Sequence, residues 1–458
     1  MTITAPKTKA EQALPQSFAA VAGRLPGGAA VQQARREAIG TFAALGLPHR
    51  RIEAWKYTDV RALLKEALAP AVGGAADAPA AAPIEAALEG LAHVPTHRRL
   101  FVDGAYHGAY QGAHAGEPAP PGLTFTPLSA ALEGDPAARL IAEAQRAGGE
   151  VGQEALLALN GAFMSDGAVI DIAEGARLDV PLLLVFVQAR AGQLVTTRNL
   201  IRLGAGARAS IVEAYLTLAP QLPGQSNALS DVTLGRGAHL DHVKLTLAGT
   251  AATHLATWLV GLGAAATYRG FQLTAATGLA RNTLLATFAG EGAKLDVAGC
   301  FLGRGSEHVD TTLVVDHALP AGESRELIKG VLAERAHGVF QGKVIVRPNA
   351  QKSDGKQMAQ ALMLSEQAEF DCKPELEIHA DDVACGHGAT SAEIDREMLF
   401  YLRSRGIPRG QARALLIESF LGEVIDRLAN EALRQAMWAS AKPRLEALAA
   451  SGAAVEER

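Results

Sequence analysis

The chain has 458 residues, of which 48% are hydrophobic and 20% charged, and its formal net charge is −5 at pH 7. Such a length and composition are typical of a folded protein with two or three domains. The negative balance argues against a broad nucleic-acid-binding surface, which needs clustered surplus Lys and Arg.

Targeting signals are weak as well. The N-terminus lacks the apolar stretch of a secretory signal, and the most apolar run, Val180–Val187, is too short to cross a membrane. Three widely spaced cysteines do not make a disulfide framework. We therefore expect a cytoplasmic protein that binds neither nucleic acid nor membrane.

Residues 1–68 show the apolar spacing of helices, as in Phe18, Val21 and Leu25. They predict an N-terminal helical region. Near its end, the charged and aromatic run Arg50–Thr58 (RRIEAWKYT) is either a binding epitope or a domain-packing anchor, and composition does not separate the two. Residues 69–155 predict a connector with short strands and helices. Its first part, from Ala69 to Gly122, is rich in Ala, Pro and Gly and includes a strand at Leu100–Val102 before an Asp-Gly turn.

An internal repeat runs through residues 156–388. The tetrapeptide Gly-x-Gly-Ala begins at Gly204, Gly235, Gly261 and Gly290, with a degenerate copy at Ala173, in steps of 31, 31, 26 and 29 residues. An alternating, strand-like stretch follows each copy. This pattern predicts a β-solenoid, in which glycine permits a tight corner and apolar residues stack inward. A β-sandwich would explain the alternation but not the recurring corner.

These glycine corners do not predict a nucleotide site, because strands follow them, whereas a phosphate cradle needs the N-terminus of a helix. Beyond Ala389 the apolar period changes to that of a helix, with Ile394, Met398 and Leu402 on one face. Residues 389–458 therefore predict a C-terminal helical domain, exposed enough to dock a partner. The predicted fold is mainly β: a parallel β-helix flanked by N-terminal and C-terminal α-helical regions.

Four histidines of the repeat region, His239, His242, His308 and His317, are metal ligands by type. We interpret them as polar residues on the outer face of the solenoid, where they alternate with core residues, and assign them no role. The sequence contains no GxSxG, HExxH or CxxC motif, so it offers little sign of a catalytic constellation.

Cys385 and His387 form a sharper candidate, because a sulfur ligand beside an imidazole suits iron, zinc or copper, or a reactive thiolate. Residues two apart on a strand face the same side, and Gly386 between them permits a kink. Two ligands do not fill a tetrahedral site, so others must come from elsewhere or from another chain. Cys372 and His379 would point to opposite faces of an unbroken strand, which argues against a four-ligand cage. The alternative is an inert, buried Cys385 with His387 hydrogen-bonded to a carboxylate.

Seven segments lie in order along the chain: RIEAWKYTDV, LNGAFMSDGAVIDI, HVDTTLVVDH, ELIKGVLAERAHGVFQGKVIV, AQKSDGKQMAQALMLS, KPELEIHADDVACGHGAT and EMLFYLRSRGI. Together they resemble the SufB/SufD family of iron–sulfur cluster assembly proteins. They cover Arg51 to roughly Phe420, whereas Leu68–Leu156 match poorly. The RIEAWKYT segment, and Leu402 where the SufB branch tends to carry Cys, place the chain with the SufD branch.

The resemblance implies a right-handed parallel β-helix and a non-catalytic scaffold subunit. It implies pairing with a SufB-like paralogue through the β-helix, and docking of a SufC-like ATPase on the C-terminal helical domain. ATP hydrolysis in that partner would rearrange the interface at which a nascent cluster forms. A homodimer in isolation and a reduced flavin in the assembled complex belong to the same expectations.

Cys385 and His387 match the family's Cys-x-His pair, so the resemblance makes them candidate iron or cluster ligands at the interface with the SufB-like partner. The middle residue, often Ser in the family, is Gly386 here, which loosens the local backbone. A free-standing metal-binding or carbohydrate-active β-helix protein is the alternative. Aromatic residues make up only 5% of the chain, which disfavours a sugar-binding groove.

Overall fold

The computed structural model describes residues 6–72, 80–109, 120–133, 152–275 and 277–451. Nine α-helices lie within these ranges: α1 Lys9–Val21, α2 Ala29–Leu45, α3 Val60–Leu63, α4 Ala81–Ala87, α5 Leu128–Ala131, α6 Glu154–Phe163, α7 Arg396–Ser404, α8 Arg409–Ile425 and α9 Glu431–Ser451. No helix in these ranges is long and apolar enough to span a membrane.

The strands of the described residues number twenty and occupy most of the chain between the terminal helices. They are β1 Ala69–Pro70, β2 His97–Val102, β3 Ala105–Ala109, β4 Leu123–Pro127, β5 Ala168–Ile172, β6 Leu182–Gln188, β7 Gln193–Leu203, β8 Arg208–Thr217, β9 Gly224–Leu234, β10 His239–Leu247, β11 Gly249–Leu262, β12 Thr267–Ala275, β13 Thr277–Phe288, β14 Lys294–Gly303, β15 His308–His317, β16 Glu323–Leu332, β17 His337–Val346, β18 Asp354–Met363, β19 Glu369–Ile378 and β20 Ala384–Ala392.

Successive strands alternate between two sheets. Sheet A has the order β19-β17-β15-β13-β11-β9-β7-β5-β4 with β1 beside β7, and sheet B has the order β20-β18-β16-β14-β12-β10-β8-β6-β2-β3. From β5 onward every neighbouring pair is parallel, so each turn of the chain adds one strand to each sheet. The result is a solenoid of about eight turns. The predicted parallel β-helix between terminal helices is confirmed.

The two ends of the β-helix differ. At the N-terminal end, β4 runs antiparallel to β5 and β2 forms an antiparallel hairpin with β3, which closes the stack. The hairpin turns at Asp103 and Gly104 with φ of 46° and 76°, as the Asp-Gly signal predicts. At the C-terminal end, among the described strands, β19 pairs only with β17 and β20 only with β18. This open end therefore presents two strand edges.

The corners of the solenoid need a residue in the left-handed conformation. Gly206 and Gly237 take φ of 67° and 64°, and Ala265 adopts φ 53° at the corresponding position of the next corner. One predicted corner is displaced: β11 continues past Gly261, and the turn begins at Gly263. The irregular, fourteen-residue β11 moves the repeat by two residues there.

Helices cover the outer faces of both sheets. The C-terminal helices pack on sheet B, where Leu421 and Met437 share a core with Val243 and Phe271. The N-terminal helices and α6 pack on sheet A in a separate core. The predicted domain boundaries at residues 68, 155 and 388 stay a prediction.

The RIEAWKYT run forms part of this covering. Trp55 has no exposed surface, lies 3.7 Å from the Arg281 guanidinium and donates from its indole N–H to the carbonyl of Gly152 at 2.8 Å. Arg281 pairs with Asp310, whose carboxylate also accepts from Thr58. Composition left two interpretations of this run open, a binding epitope and a domain-packing anchor. The contacts of Trp55 and Thr58 support the packing anchor.

Candidate functional site

Cys385 and His387 lie on β20, the last strand of sheet B. Their register partners on β18 are Gly355 and Gln357. Gln357 is buried inside the β-helix, and residues in register on neighbouring strands face the same side. Cys385 packs against the inner core, and a Cβ built on Gly355 would lie 3.6 Å from its sulfur. Both candidate ligands therefore face the lumen at its open end.

The two side chains differ in exposure. His387 is exposed, and Cys385 is partly buried. Burial raises the pKa of the Cys385 thiol, and the nearby charges of Asp354 and Glu326 raise it further, while a hydrogen bond with the backbone of Gly355 partly opposes them. The thiol is therefore protonated at neutral pH and must lose its proton to bind a metal.

The other nearby donors are placed as the alternation predicts. Cys372 on β19 is in register with the buried Phe340 and faces the lumen, and burial raises its pKa to about 11. His379 follows β19 and bonds the carboxylate of Glu377 at 3.0 Å on the other face. Cys372 and His379 therefore point to opposite faces of the strand and do not belong to one four-ligand metal site.

Within the described ranges, no three His, Cys, Asp or Glu side chains are close enough to hold a metal ion. A thiolate and an imidazole nevertheless suit iron as a donor set. Because Cys385 and His387 end the solenoid, the space beyond them is open to a second molecule. The chemistry fits a half-site that is completed from outside the chain.

The histidine interpretation needs correction. His242 is fully buried inside the lumen, where its Nε2 bonds Glu213 at 2.8 Å, and His317 is fully buried with its Nε2 bonded to Ser324 at 3.0 Å. His308 does lie on the outer face of sheet A, but it is covered by the N-terminal segment. Of the four, His239 and His308 lie on the predicted outer face, and of these two His239 is the one that is partly exposed.

Sequence reasoning also missed a polar cluster inside the β-helix. Glu213 accepts bonds from Ser230 at 2.5 Å and His242 at 2.8 Å, and although burial alone would raise its pKa, these partners lower it to about 2. Lys244, also buried, bonds Asn282 at 2.5 Å, and burial lowers its pKa to about 7. The sequence signal for this cluster was a charged residue at an inward-facing position of an otherwise apolar strand, namely Glu213 in SIVEAYL and Lys244 in DHVKLTL.

Unusual apolar exposure surrounds the open end. On β18 and β19, Met358 and Ile378 are 37% and 42% exposed. Helix α7 contains no buried residue, and its Met398, Phe400 and Tyr401 are 52%, 74% and 52% exposed. The apolar face predicted for this helix is therefore only partly covered: Ile394, just before α7, packs against the C-terminal core, whereas Met398 stays exposed. Exposed apolar groups of this size mark surfaces that bind other proteins.

The chain matches two family models: "SUF system FeS cluster assembly, SufBD core domain" over residues 186–420 and "SufBD protein N-terminal region" over residues 26–184. It is 31% identical to the iron–sulfur cluster assembly protein SufD of Escherichia coli, over 87% of this chain and 90% of that protein. A SufBD family protein of Synechocystis is 30% identical over 86% of both chains. SufD of Bacillus subtilis is 28% identical over 63% of this chain and 66% of its own length.

Proposed function

The chain belongs to the SufBD family of iron–sulfur cluster assembly proteins, and we propose that it is a non-catalytic, cytoplasmic scaffold subunit of a SUF-type complex. In that complex it pairs with a SufB-like paralogue and docks a SufC-like ATPase. Iron or a nascent cluster is the cargo, held between this chain and the paralogue. A reduced flavin in the assembled complex stays a prediction, as does a homodimer of the chain alone.

Pairing through the C-terminal end of the β-helix is supported by the two unpaired edges of β19 and β20. All ten residues of β19 are at least partly exposed, and most of β20 is exposed, whereas the preceding strands are largely buried. Edge strands offer free backbone N–H and C=O groups, which another β-structure can pair with. Ile378 adds an apolar contact at the end of β19.

ATPase docking on the C-terminal helices is supported by α7. Phe400 projects as an aromatic anchor, and the charged residues that follow it, Arg403 and Arg405, are basic. Aromatic and Arg side chains dominate the binding energy of protein interfaces. We expect the partner to offer an apolar pocket with acidic groups at its rim.

The placement of Cys385 and His387 at the open end of the β-helix is the single observation that carries the proposal. It faces the open lumen between the two edge strands, so a partner that pairs with those edges would bring its own donors to the same place. Cys385 and His387 would each supply one donor atom to the metal. The partner would supply the others.

Co-expression of the chain with SufB-like and SufC-like proteins tests the assembly. Ile378→Asp places a charge at the open end and is expected to weaken pairing with the paralogue while leaving ATPase binding intact. Phe400→Ala is expected to do the reverse, and Leu222→Ala, which removes an apolar side chain that is 53% exposed on a distant loop, should affect neither. Failure of the parent chain to bind either partner would refute the scaffold function.

A further inference from the structure

A row of polar side chains lies behind His387 inside the β-helix. The register pairs Glu326 of β16 with Gln357 of β18, and Gln357 with His387 of β20. The three side chains therefore lie side by side and face the lumen. Because neighbouring strands are about 5 Å apart, the Cα atoms of Glu326 and His387 are about 10 Å apart. Glu326 is thus near the candidate ligands without touching His387.

Glu326 has an unusual environment for a carboxyl group. It is 3% exposed, and neither of its carboxyl oxygens has a hydrogen-bond partner. Among the acidic side chains of the described residues, it is the one with both oxygens buried and unbonded. A buried, unpaired carboxylate is unfavourable, so the group is held in its neutral form. Burial raises its pKa to about 8.

The surroundings of Glu326 contain little that could pair with it. On its own strand, the Ser324 hydroxyl and the charge of Arg325 lower the pKa of Glu326 but do not outweigh its burial. Ser324 bonds His317, and Arg325 points to the outer face, where it pairs with Asp354. On β14, the negative charge of the outward-facing Asp296 raises the pKa of Glu326 further, because two nearby negative charges repel each other.

Across the lumen, the packing is apolar or open. A Cβ built on Gly342 of β17 would collide with the Gln357 side chain, which places these two residues opposite each other. One turn earlier the same positions hold Glu326 and the buried Leu313. Toward the open end lies the Cys385 thiol, and a negative charge on Glu326 raises the pKa of that thiol. The open end is therefore the direction from which a compensating positive charge can come.

We propose that Glu326 is an internal counter-charge for a divalent metal ion held at Cys385 and His387. When the ion binds, the Glu326 carboxyl releases its proton to solvent through the open end, and the resulting carboxylate stabilises the ion from inside the β-helix. The inference rests on the proposed function, because it assumes that this pair binds metal. Glu326 acts at a distance and is not itself a ligand.

The expected size of the effect of Glu326 on metal affinity follows from Coulomb's law. A metal ion with one bound thiolate carries a net charge of about +1, and at about 10 Å with an effective dielectric constant of about 20 it favours ionisation of Glu326 by roughly tenfold. Because about half of the carboxyl is already ionised at pH 8 without metal, metal affinity should gain roughly fivefold at pH 8 and almost nothing at pH 6, where the carboxyl stays mostly protonated in both states. Near pH 7.4, binding should release about half a proton more from the parent chain than from a chain without the carboxyl.

The test is an anaerobic titration with cobalt(II) of the chain in complex with its SufB-like partner, followed by thiolate-to-metal absorption and by calorimetry in two buffers. Glu326→Gln is expected to weaken binding about fivefold at pH 8, to leave it unchanged at pH 6 and to lose the extra proton. Glu323→Gln, an outward and partly exposed carboxylate on the same strand, is the matched control. Should the Gln variant fail to fold, Glu326→Leu removes the carboxyl in a form that suits the apolar lumen.

Parent-like affinity and proton release in the Glu326 variants at both pH values would overturn the inference. His387→Ala in the same titration separates this result from failure of the proposed site. If His387→Ala loses metal and Glu326→Gln does not, the half-site stands and the counter-charge role is wrong. If His387→Ala binds like the parent, or the parent binds no cobalt, both are wrong.

Discussion

Replacing Glu326 by Gln should change how the stability of the metal-free chain depends on pH. The folded-state pKa of about 8 lies above the ordinary value of 4.5 for a glutamate, so between these values the native chain holds a proton that the unfolded chain has lost. The free energy of unfolding therefore falls as pH rises, by about 1.4 kcal/mol per pH unit. The accumulated loss is about 3 kcal/mol at pH 7 and about 5 kcal/mol above pH 8. Gln has nearly the same shape and does not titrate, so its variant should escape this loss.

The assay is urea unfolding of the isolated chain and its Glu326→Gln variant at pH 5 and pH 8, followed by circular dichroism. Transition midpoints are compared at each pH, because a solenoid need not unfold in one step. The two proteins should be similar at pH 5, and the variant should be clearly more stable at pH 8. Glu323→Gln should follow the parent. Midpoints that shift in parallel for parent and Glu326→Gln would show that the carboxyl is not held neutral, and the argument for a buried counter-charge would fail.

Further predictions concern the anchor, the corners and the docking helix. Trp55→Ala should lower stability by about 3–5 kcal/mol, because it removes a fully buried indole, and limited proteolysis should then cut the N-terminal region sooner. Asp310→Asn should cost a similar amount in chemical denaturation by leaving the buried Arg281 guanidinium unpaired, and a loss below about 1 kcal/mol would contradict this. Ala265→Gly should be neutral or stabilise by up to about 1 kcal/mol, since it relieves a left-handed alanine, and a lower melting temperature would argue against that strain. Phe400→Ala should change the melting temperature little, because the ring is mostly exposed, and a large drop would mean that α7 packs within the chain.

The β-helix could be predicted from sequence because its corner and its alternation repeat at nearly constant spacing. The corner at Gly261 was displaced because a longer β11 carries an extra irregularity that composition does not reveal. Alternation also cannot show which polar positions face inward: His242 and Glu213 stabilise each other inside the lumen, and neither strand alone indicates that pairing. His308 lies on an outer face, but a segment 250 residues away in sequence covers it.

The candidate site was predictable in part. The two-residue spacing places Cys385 and His387 on one face whichever strand they occupy. That this strand is the last of sheet B, with an unpaired edge, depends on where the stacking ends. Glu326 was invisible at the sequence level, because its nearness to His387 comes from strands two turns apart in register.

Cluster loading of the assembled complex tests the central claim most directly. The chain is purified with its SufB-like and SufC-like partners as the parent and as the Cys385→Ala and His387→Ala variants, and iron and sulfide per complex are measured after anaerobic reconstitution. Cys372→Ala and His379→Ala are the matched controls, since they remove the same donor types nearby. The account predicts that the Cys385 and His387 variants assemble normally but lose most of the cluster, while both controls load like the parent. Full loading of both the Cys385→Ala and the His387→Ala complexes would contradict it.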